Sequence, residues 1–347
     1  MTDVLCIDGS YGEGGGQIIR TCLSLAALTG RAVDIHHVRA GRAKPGLQPQ
    51  HLAAVHAAAT LCGAELAGAV VGSQRLHFVP QGPVQPGNYR FDIGTAGAAP
   101  LVAQTVLLPL ALSHAPSRVT VTGGTHVPHA PSAEYLRSVY LPALAQAGMT
   151  VRCVVPRVGF YPRGGGEIEL EISPCRALQP LHYNRRGDVL AVQAYVTTGS
   201  LPEHVGMRGA AAVEANLPEF ARQLHVTIAD KPSYGPGAAV LLIATCDGGL
   251  GGFSALGARG KRMEIVSEEA CQEFREWWKT GAACDEHLAD QLVLPLALAA
   301  GESRWSMPVI SEHLRTVLWV TQQFLPITAT LQEGSGGMAT ITLRGAG

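Results

Sequence analysis

The sequence predicts a layered α+β protein. A large domain of three repeated strand-helix-strand-helix-hairpin units, 1–183 and 280–347, carries an inserted small α/β domain at 184–279. Three observations carry the prediction. A glycine-marked apolar helix recurs as GGGQIIRTCLSLAALTG, GAAPLVAQTVLLPLALS and DEHLADQLVLPLALAAG, each with one glutamine: Gln17, Gln104 and Gln291. A second helix follows in each copy and holds a ring residue before Leu, namely His51, Tyr135 and His313, at 34, 31 and 22 residues from the glutamine. Each copy then closes on alternating apolar and polar residues with Gly near a turn, the pattern of a hairpin.

In the first unit a strand ending near Asp8 feeds the first helix. AVDIHHV is the strand-like link, QPQHLAAVHAAATL the second helix and AELAGAVVGSQRLHFVP the hairpin. The second unit, from about 91, follows with SRVTVTG, a helix at APSAEYL and the hairpin MTVRCVVPRVGFYPRGGGEIELEI. The third begins near 280 and runs through SRWSMPV, a helix for which Ser311 is placed as N-cap, and PITATLQEGSGGMATITLRG. Between them the insertion has its own strands, VLAVQAYVT and AAVLLIATC, and helices, PEHVGMRGAAAVEANLPEF and EEACQEFREWWKT. Each repeat exposes an apolar face that needs a neighbour, so the three should stack.

Composition narrows the function. With 347 residues, 47% of them hydrophobic and 15% charged, the chain has ample core for about two domains and no extended charged tail. Its net charge of −1 means that contact with nucleic acid must come from a local basic cluster, which excludes tail-driven binders. The lysines Lys44, Lys231, Lys261 and Lys279 lie outside any Lys-x-Asp-Gly setting, which argues against a lysine-nucleophile ligase. Eight scattered cysteines without C-x-x-C, and an N-terminus lacking signal-peptide character, point to a reducing cytoplasm. The most apolar run, 100–112, is too short to span a bilayer, so no membrane contact is expected.

Candidate chemistry begins in Asp8–Gln17, a glycine-rich passage from strand into helix where exposed N–H groups and the helix dipole can receive phosphate. It fits neither standard phosphate-loop motif, and a tight turn explains its glycines equally well. Glu13 within it can hold Mg2+ or Mn2+, and Arg20, one turn into the helix, can fork onto phosphate oxygens. Arg39, Arg42 and Lys44 place three cations in six residues just ahead of Gln50 and His51, either as a solvated loop or as a phosphate clamp. His313 sits at a helix start whose dipole disfavours imidazolium. It reads as a capping histidine or as a neutral nucleophile.

Taken together, GSYGEGGGQIIRTCLSLAALTG, VRAGRAKPGLQPQHL, GGT with APSAEYL, GFYPRGGGE, LADQLVLPLALA and the late SEHLRT resemble the RNA 3′-terminal phosphate cyclase family across about 1–180 and 280–347. The resemblance implies three repeats, each of two helices on a four-stranded sheet, with 184–279 as the family's small domain. It implies a ligase-class enzyme that uses ATP and Mg2+ or Mn2+ to convert an RNA 3′-phosphate into a 2′,3′-cyclic phosphate. The route would pass through enzyme-histidyl-AMP and RNA-(3′)pp(5′)A. His313 would be the adenylylated histidine and Glu13 the metal- and ATP-linked acid. Arg20, Arg39, Arg42, Gln50 and His51 would handle phosphates, with Gln17 beside them. Gln104, Asp290 and Gln291 would contact metal or nucleotide, and Pro131 and Tyr135 would belong to the adenine pocket. His287 stands where the family's tyrosine is expected on the other face of adenine; imidazole can still stack there. Two rival readings share parts of this pattern. A catalytically inactive ribosome-biogenesis relative would lack the nucleophile and part of the phosphate set, whereas an enolpyruvyl transferase would use phosphoenolpyruvate and take no label from ATP.

Overall fold

A computed structural model describes residues 4–334 and 337–347. The sequence reading reached two places outside them: residues 1–3, and positions 335 and 336 within the stretch read as the third hairpin.

The first unit is β1 (Leu5–Asp8), α1 (Gly16–Thr29), β2 (Val33–His36), α2 (Pro49–Cys62), β3 (Glu65–Ala67) and β4 (Leu76–Val79). Its sheet has the order β1-β2-β4-β3. The helix between β1 and β2 returns the chain to the same end of the sheet, so these two strands pair parallel, whereas the hairpin strands pair antiparallel. The second unit repeats the plan with β5 (Asn88–Asp92), α3 (Ala99–Ala111), β6 (Ser117–Gly123), β7 (Val151–Arg157) and β8 (Gly166–Ile172). Its second helix is segmented into α4 (Ala133–Tyr135), a π-helical turn through Tyr140, and α5 (Leu141–Gln146).

β9 (His182–Tyr183) opens the third sheet before the inserted segment starts. The sequence pattern began the third copy near 280, because a two-residue strand has no alternation to read. The inserted segment forms β10 (Val189–Gly199), α6 (Glu203–Asn216), β11 (Leu224–Asp230), β12 (Gly237–Cys246), β13 (Leu250–Leu256) and α7 (Met263–Thr280). The third unit resumes with α8 (Glu286–Gln291), α9 (Val293–Ala297), β14 (Glu302–Met307), α10 (Glu312–Phe324), β15 (Thr328–Glu333) and β16 (Ala339–Arg344). The sheet orders β5-β6-β8-β7 and β15-β16-β14-β9 match the first unit strand for strand. The α+β layered class is therefore what the chain adopts.

β12 explains how the insertion is held. Its uninterrupted apolar run is buried on both faces, as such runs are when a strand has cover above and below. Val240, Leu242 and Ala244 pack with Phe274 and Trp277 of α7, whereas Leu241 and Ile243 join the core of the three repeats. α1 lies centrally, packed against α2, α3 and α10. Among the described residues no helix is long and apolar enough to cross a membrane.

Candidate active site

The starts of α1, α2, α8 and α10 converge on one cleft of about 850 Å³. Helix N-termini carry positive dipole ends, and α1, whose N-cap Gly15 has no side chain to offer, also leaves its first N–H groups without a capping side chain, so the convergence favours an anion. Gly16 opens α1 at the tightest point. A Cβ there would collide with His51 Nε2, lie 2.7 Å from its Cδ2 and 3.1 Å from Arg20 Nη1, so only glycine lets both side chains close on the helix start.

His51 is 3% exposed. Burial, reinforced by the charges of Arg20 and Arg39, lowers its pKa to about 3. Its Nδ1 accepts the Gln48 N–H at 3.1 Å. A neutral ring that accepts at Nδ1 carries its proton on Nε2, which makes His51 a fixed donor into the cleft. Burial lowers the Arg20 pKa to about 10, with the charge of Asp290 opposing, so Arg20 stays cationic. Asp290 is itself held well above the usual carboxylate range by burial and by the nearby charges of Asp285 and Glu286. Arg39 staples its own loop, donating from Nη1 to the carbonyls of Lys44 and Gly46 at 2.7 and 2.8 Å.

At the centre, Glu13 binds two groups at once. Its Oε2 accepts from Arg42 Nη2 at 2.9 Å, and its Oε1 lies 3.1 Å from His313 Nδ1. A carboxylate accepts only, so this contact places the imidazole proton on Nδ1 and leaves Nε2 with its lone pair. The His313 pKa is lowered by burial; Glu13 opposes this, and His287, Arg20 and Arg42 add to it. A neutral, half-exposed imidazole with a free Nε2 is a competent nucleophile. Ser311 caps α10 as its sequence position suggests, its Oγ accepting the Leu314 N–H at 3.0 Å.

A model of the RNA 3′-terminal phosphate cyclase family matches residues 11–331. The chain belongs to that family. Proteins named RNA 3′-terminal phosphate cyclase resemble it along nearly their whole length. That of Methylococcus capsulatus is 47% identical over 328 residues, covering 92% of this chain and 91% of the relative. That of Nostoc punctiforme is 44% identical over 324 residues, covering 92% and 93%. That of Salmonella paratyphi C is 43% identical over 336 residues, covering 97% and 96%. A solved structure, the enolpyruvyl transferase NikO from Streptomyces tendae, gives a TM-score of 0.38 at 10% identity, with the match spanning 49% of that chain; so slight a likeness carries nothing about fold or chemistry.

For this cyclase-family chain, the fourteen residues to which the resemblance gives a role all line the same cleft, whereas Lys44 of the basic cluster does not. Their contacts differ in kind. Four glutamines are engaged with protein: Gln17 Nε2 donates to the His313 carbonyl at 2.9 Å, Gln50 Oε1 accepts the Ala98 N–H at 2.9 Å, and Gln104 Nε2 donates to Gln291 Oε1 at 2.8 Å. Tyr135 is buried and its hydroxyl donates to Asp285, 2.9 Å from both carboxylate oxygens, so only its ring is available to the cleft. Pro131 precedes the α4 cap Ser132, and His287 lies in the first turn of α8.

Sequence reasoning missed Asp285. Besides Tyr135 it accepts the N–H groups of His287, Leu288 and Gly252, thereby joining the α8 start, the second helix of unit two and the inserted sheet. An Asp directly before an apolar-periodic helix is an N-cap signal, and that much was available. Ser254 and Leu256 of β13 also line the cleft, which therefore lies between the repeats and the insertion.

Proposed function

We propose that this chain converts RNA 3′-phosphate ends to 2′,3′-cyclic phosphates at the expense of ATP, through a covalent His313–AMP state. The observation that carries the reading is the Arg42–Glu13–His313 chain, which leaves an unprotonated Nε2 facing a cleft rich in anion donors.

In this reading Nε2 attacks the α-phosphorus of ATP. The N–P bond forms as the bond to pyrophosphate breaks, and the positive charge that develops on the ring is met by Glu13. Arg20, Arg42 and the His51 Nε2–H are the donors for phosphate oxygens. An oxygen of the RNA 3′-phosphate then takes the adenylyl group and His313 returns to neutral imidazole. The adjacent 2′-OH attacks the activated 3′-phosphorus, AMP departs, and the hydroxyl proton passes to solvent. Proximity supplies much of that last rate, since the nucleophile is already on the same ribose. Pro131, Tyr135 and His287 would flank the base.

A divalent ion, Mg2+ or Mn2+, suits the donor chemistry: such ions are commonly held by one or two carboxylates together with substrate phosphates, and the cleft offers Glu13 and Asp290. When bound it would neutralise triphosphate charge. Eight unpaired cysteines are in keeping with the reducing cytoplasm proposed as its compartment.

The test is to incubate purified protein with α-labelled ATP and Mg2+ or Mn2+, then to analyse the ends of a 3′-phosphorylated oligonucleotide, comparing wild type with His313→Ala. Acid-labile, alkali-stable label on His313 and a cyclic end with wild type alone are expected. Label on another side chain, or none, refutes the mechanism.

A further inference from the structure

The paired imidazoles of AVDIHHV take no part in the cleft, and neither does Asp8. β1 and β2 are parallel neighbours with Asp8 opposite His36, so these side chains leave the strand ends on the same face of the sheet. His37 follows at φ 53°, in the left-handed region that His adopts more readily than most residues. Its ring centroid lies 4.8 Å from that of His36, and its Nδ1 is 3.3 Å from Asp8 Oδ1. One ligand atom from each of the three residues falls within 4.8 Å of the others.

We propose that Asp8, His36 and His37 bind a zinc-class divalent transition-metal ion at the roots of the two loops that carry Glu13 and Arg42. Two imidazole nitrogens and a carboxylate suit Zn2+, Co2+ or Ni2+, whereas Mg2+ prefers oxygen alone. Zinc bonds of about 2.0–2.2 Å place tetrahedral ligand atoms roughly 3.4 Å apart. Asp8 and His37 already stand at that separation. The His36 ligand atom, within 4.8 Å of the other two, has to come closer for the ion to be bound by all three. Ser10 holds the carboxylate in place, donating to Asp8 Oδ1 from its N–H at 3.0 Å and its hydroxyl at 2.7 Å, as outer partners do at metal sites. The side chains of His37 and Asp8 are 62% and 45% exposed, so an ion reaches them directly and keeps a position for water.

The site has a mechanical consequence. Asp8 leads straight into the loop of Glu13, and His37 into the loop of Arg39 and Arg42. The loops already meet where the Gly9 N–H donates to the His36 carbonyl at 2.7 Å, and again at the Arg42–Glu13 pair. An ion at the three ligands fastens their roots, and by mass action it stabilises the folded protein. This ion is separate from the one assigned to Glu13.

The test uses nucleotide-free, full-length protein titrated with ZnCl2 or CoCl2 alone, with bound metal measured by equilibrium dialysis. Exposed Cys6, two residues before Asp8 on β1, is the competing explanation, so Cys6→Ser and Glu13→Gln are the controls. Wild type and both controls should bind equally, with a cobalt spectrum free of thiolate charge transfer. His36→Asn and His37→Asn should each weaken binding by at least the about 10–100-fold that loss of an outer-shell partner costs. In unaltered protein, Zn2+ should protect His36 and His37 from diethyl pyrocarbonate, mapped by mass spectrometry. Absent binding in wild type, binding indifferent to both histidines, loss in Cys6→Ser, or no protection would overturn the proposal.

Discussion

His51→Gln should flatten the acid limb of the stability curve. In the folded protein the His51 pKa is lowered from 6.5 to about 3, first by burial and then by Arg20 and Arg39. The unfolded chain therefore takes up a proton at this residue well before the folded one does. With the folded value depressed, the stabilisation is fully present above pH 6.5 and is lost as pH falls toward 3. At 1.36 kcal/mol per unit the whole effect is about 5 kcal/mol, of which about 2 kcal/mol is lost between pH 8 and pH 5. Glutamine preserves an acceptor for the Gln48 N–H but does not titrate. Urea unfolding of both proteins at several pH values between 5 and 8 isolates the contribution, because other titrations are shared and cancel in the difference. Wild type should lose about 2 kcal/mol more than the variant over that interval. Parallel curves would mean that His51 titrates normally, and the neutral Nε2–H donor assigned to the cleft would fall with them.

Gly16→Ala places a methyl against His51 and Arg20; overpacking costs about 1–3 kcal/mol, partly offset by up to about 1 kcal/mol of helix propensity. Melting should therefore shift little while the rate of AMP labelling falls about 100-fold, the scale of a 1 Å misplacement; an unchanged labelling rate refutes the close-approach argument. Glu13→Gln removes the charge that raises the His313 pKa against burial, so the neutral form should persist to lower pH. The acid limb of the labelling rate should move to lower pH, and at pH 7.5 the rate should drop by about 10²–10³-fold; initial rates across pH 5–8 check both, and a limb moved upward contradicts the assignment. Tyr135→Phe removes a donor from Asp285, whose pKa burial raises although Tyr135 and the backbone donors oppose it. The ionised form loses most, so the destabilisation, about 1.5–3 kcal/mol for a charged hydrogen bond, should be larger at pH 8 than at pH 4.5 in thermal melts; a loss independent of pH would show that Asp285 does not change its ionisation between the two.

Several site residues were legible because they sit where one-dimensional patterns are strongest: Gln17, Gln50, His51 and His313 at the starts of apolar-periodic helices, and Glu13, Arg39 and Arg42 in the glycine-marked loops ahead of two of them. Asp285 was not, since its partners Tyr135 and Gly252 are 150 and 33 positions away and no local spacing joins them. β13 was missed for a related reason. Its LGGFSAL run breaks alternation at Gly252, where a Cβ would stand 2.7 Å from the Tyr135 ring, so a packing demand from unit two erases the strand signal in the insertion. β9 is too short to show a period, and the insertion separates it from the rest of its unit.

The repeated glutamine shows best how the threefold pattern becomes a site. An amide side chain is donor and acceptor together, so its role is set by whatever faces it, which the sequence does not contain. In the folded chain Gln17 ties unit one to unit three through the His313 carbonyl, and Gln104 ties unit two to unit three through Gln291. Gln50 ties unit one to unit two through the Ala98 N–H. The three bonds form a closed ring among the three units, and every glutamine in it lines the cleft. The ring meets α10 at the carbonyl of His313 itself, so the Gln17 bond ties that residue to unit one, the unit that also carries Glu13. The repeat thus supplies more than three similar sheets: its equivalent glutamines Gln17, Gln104 and Gln291 close two of the junctions, Gln50, outside the repeat pattern, closes the third, and all four line the cleft beside His313.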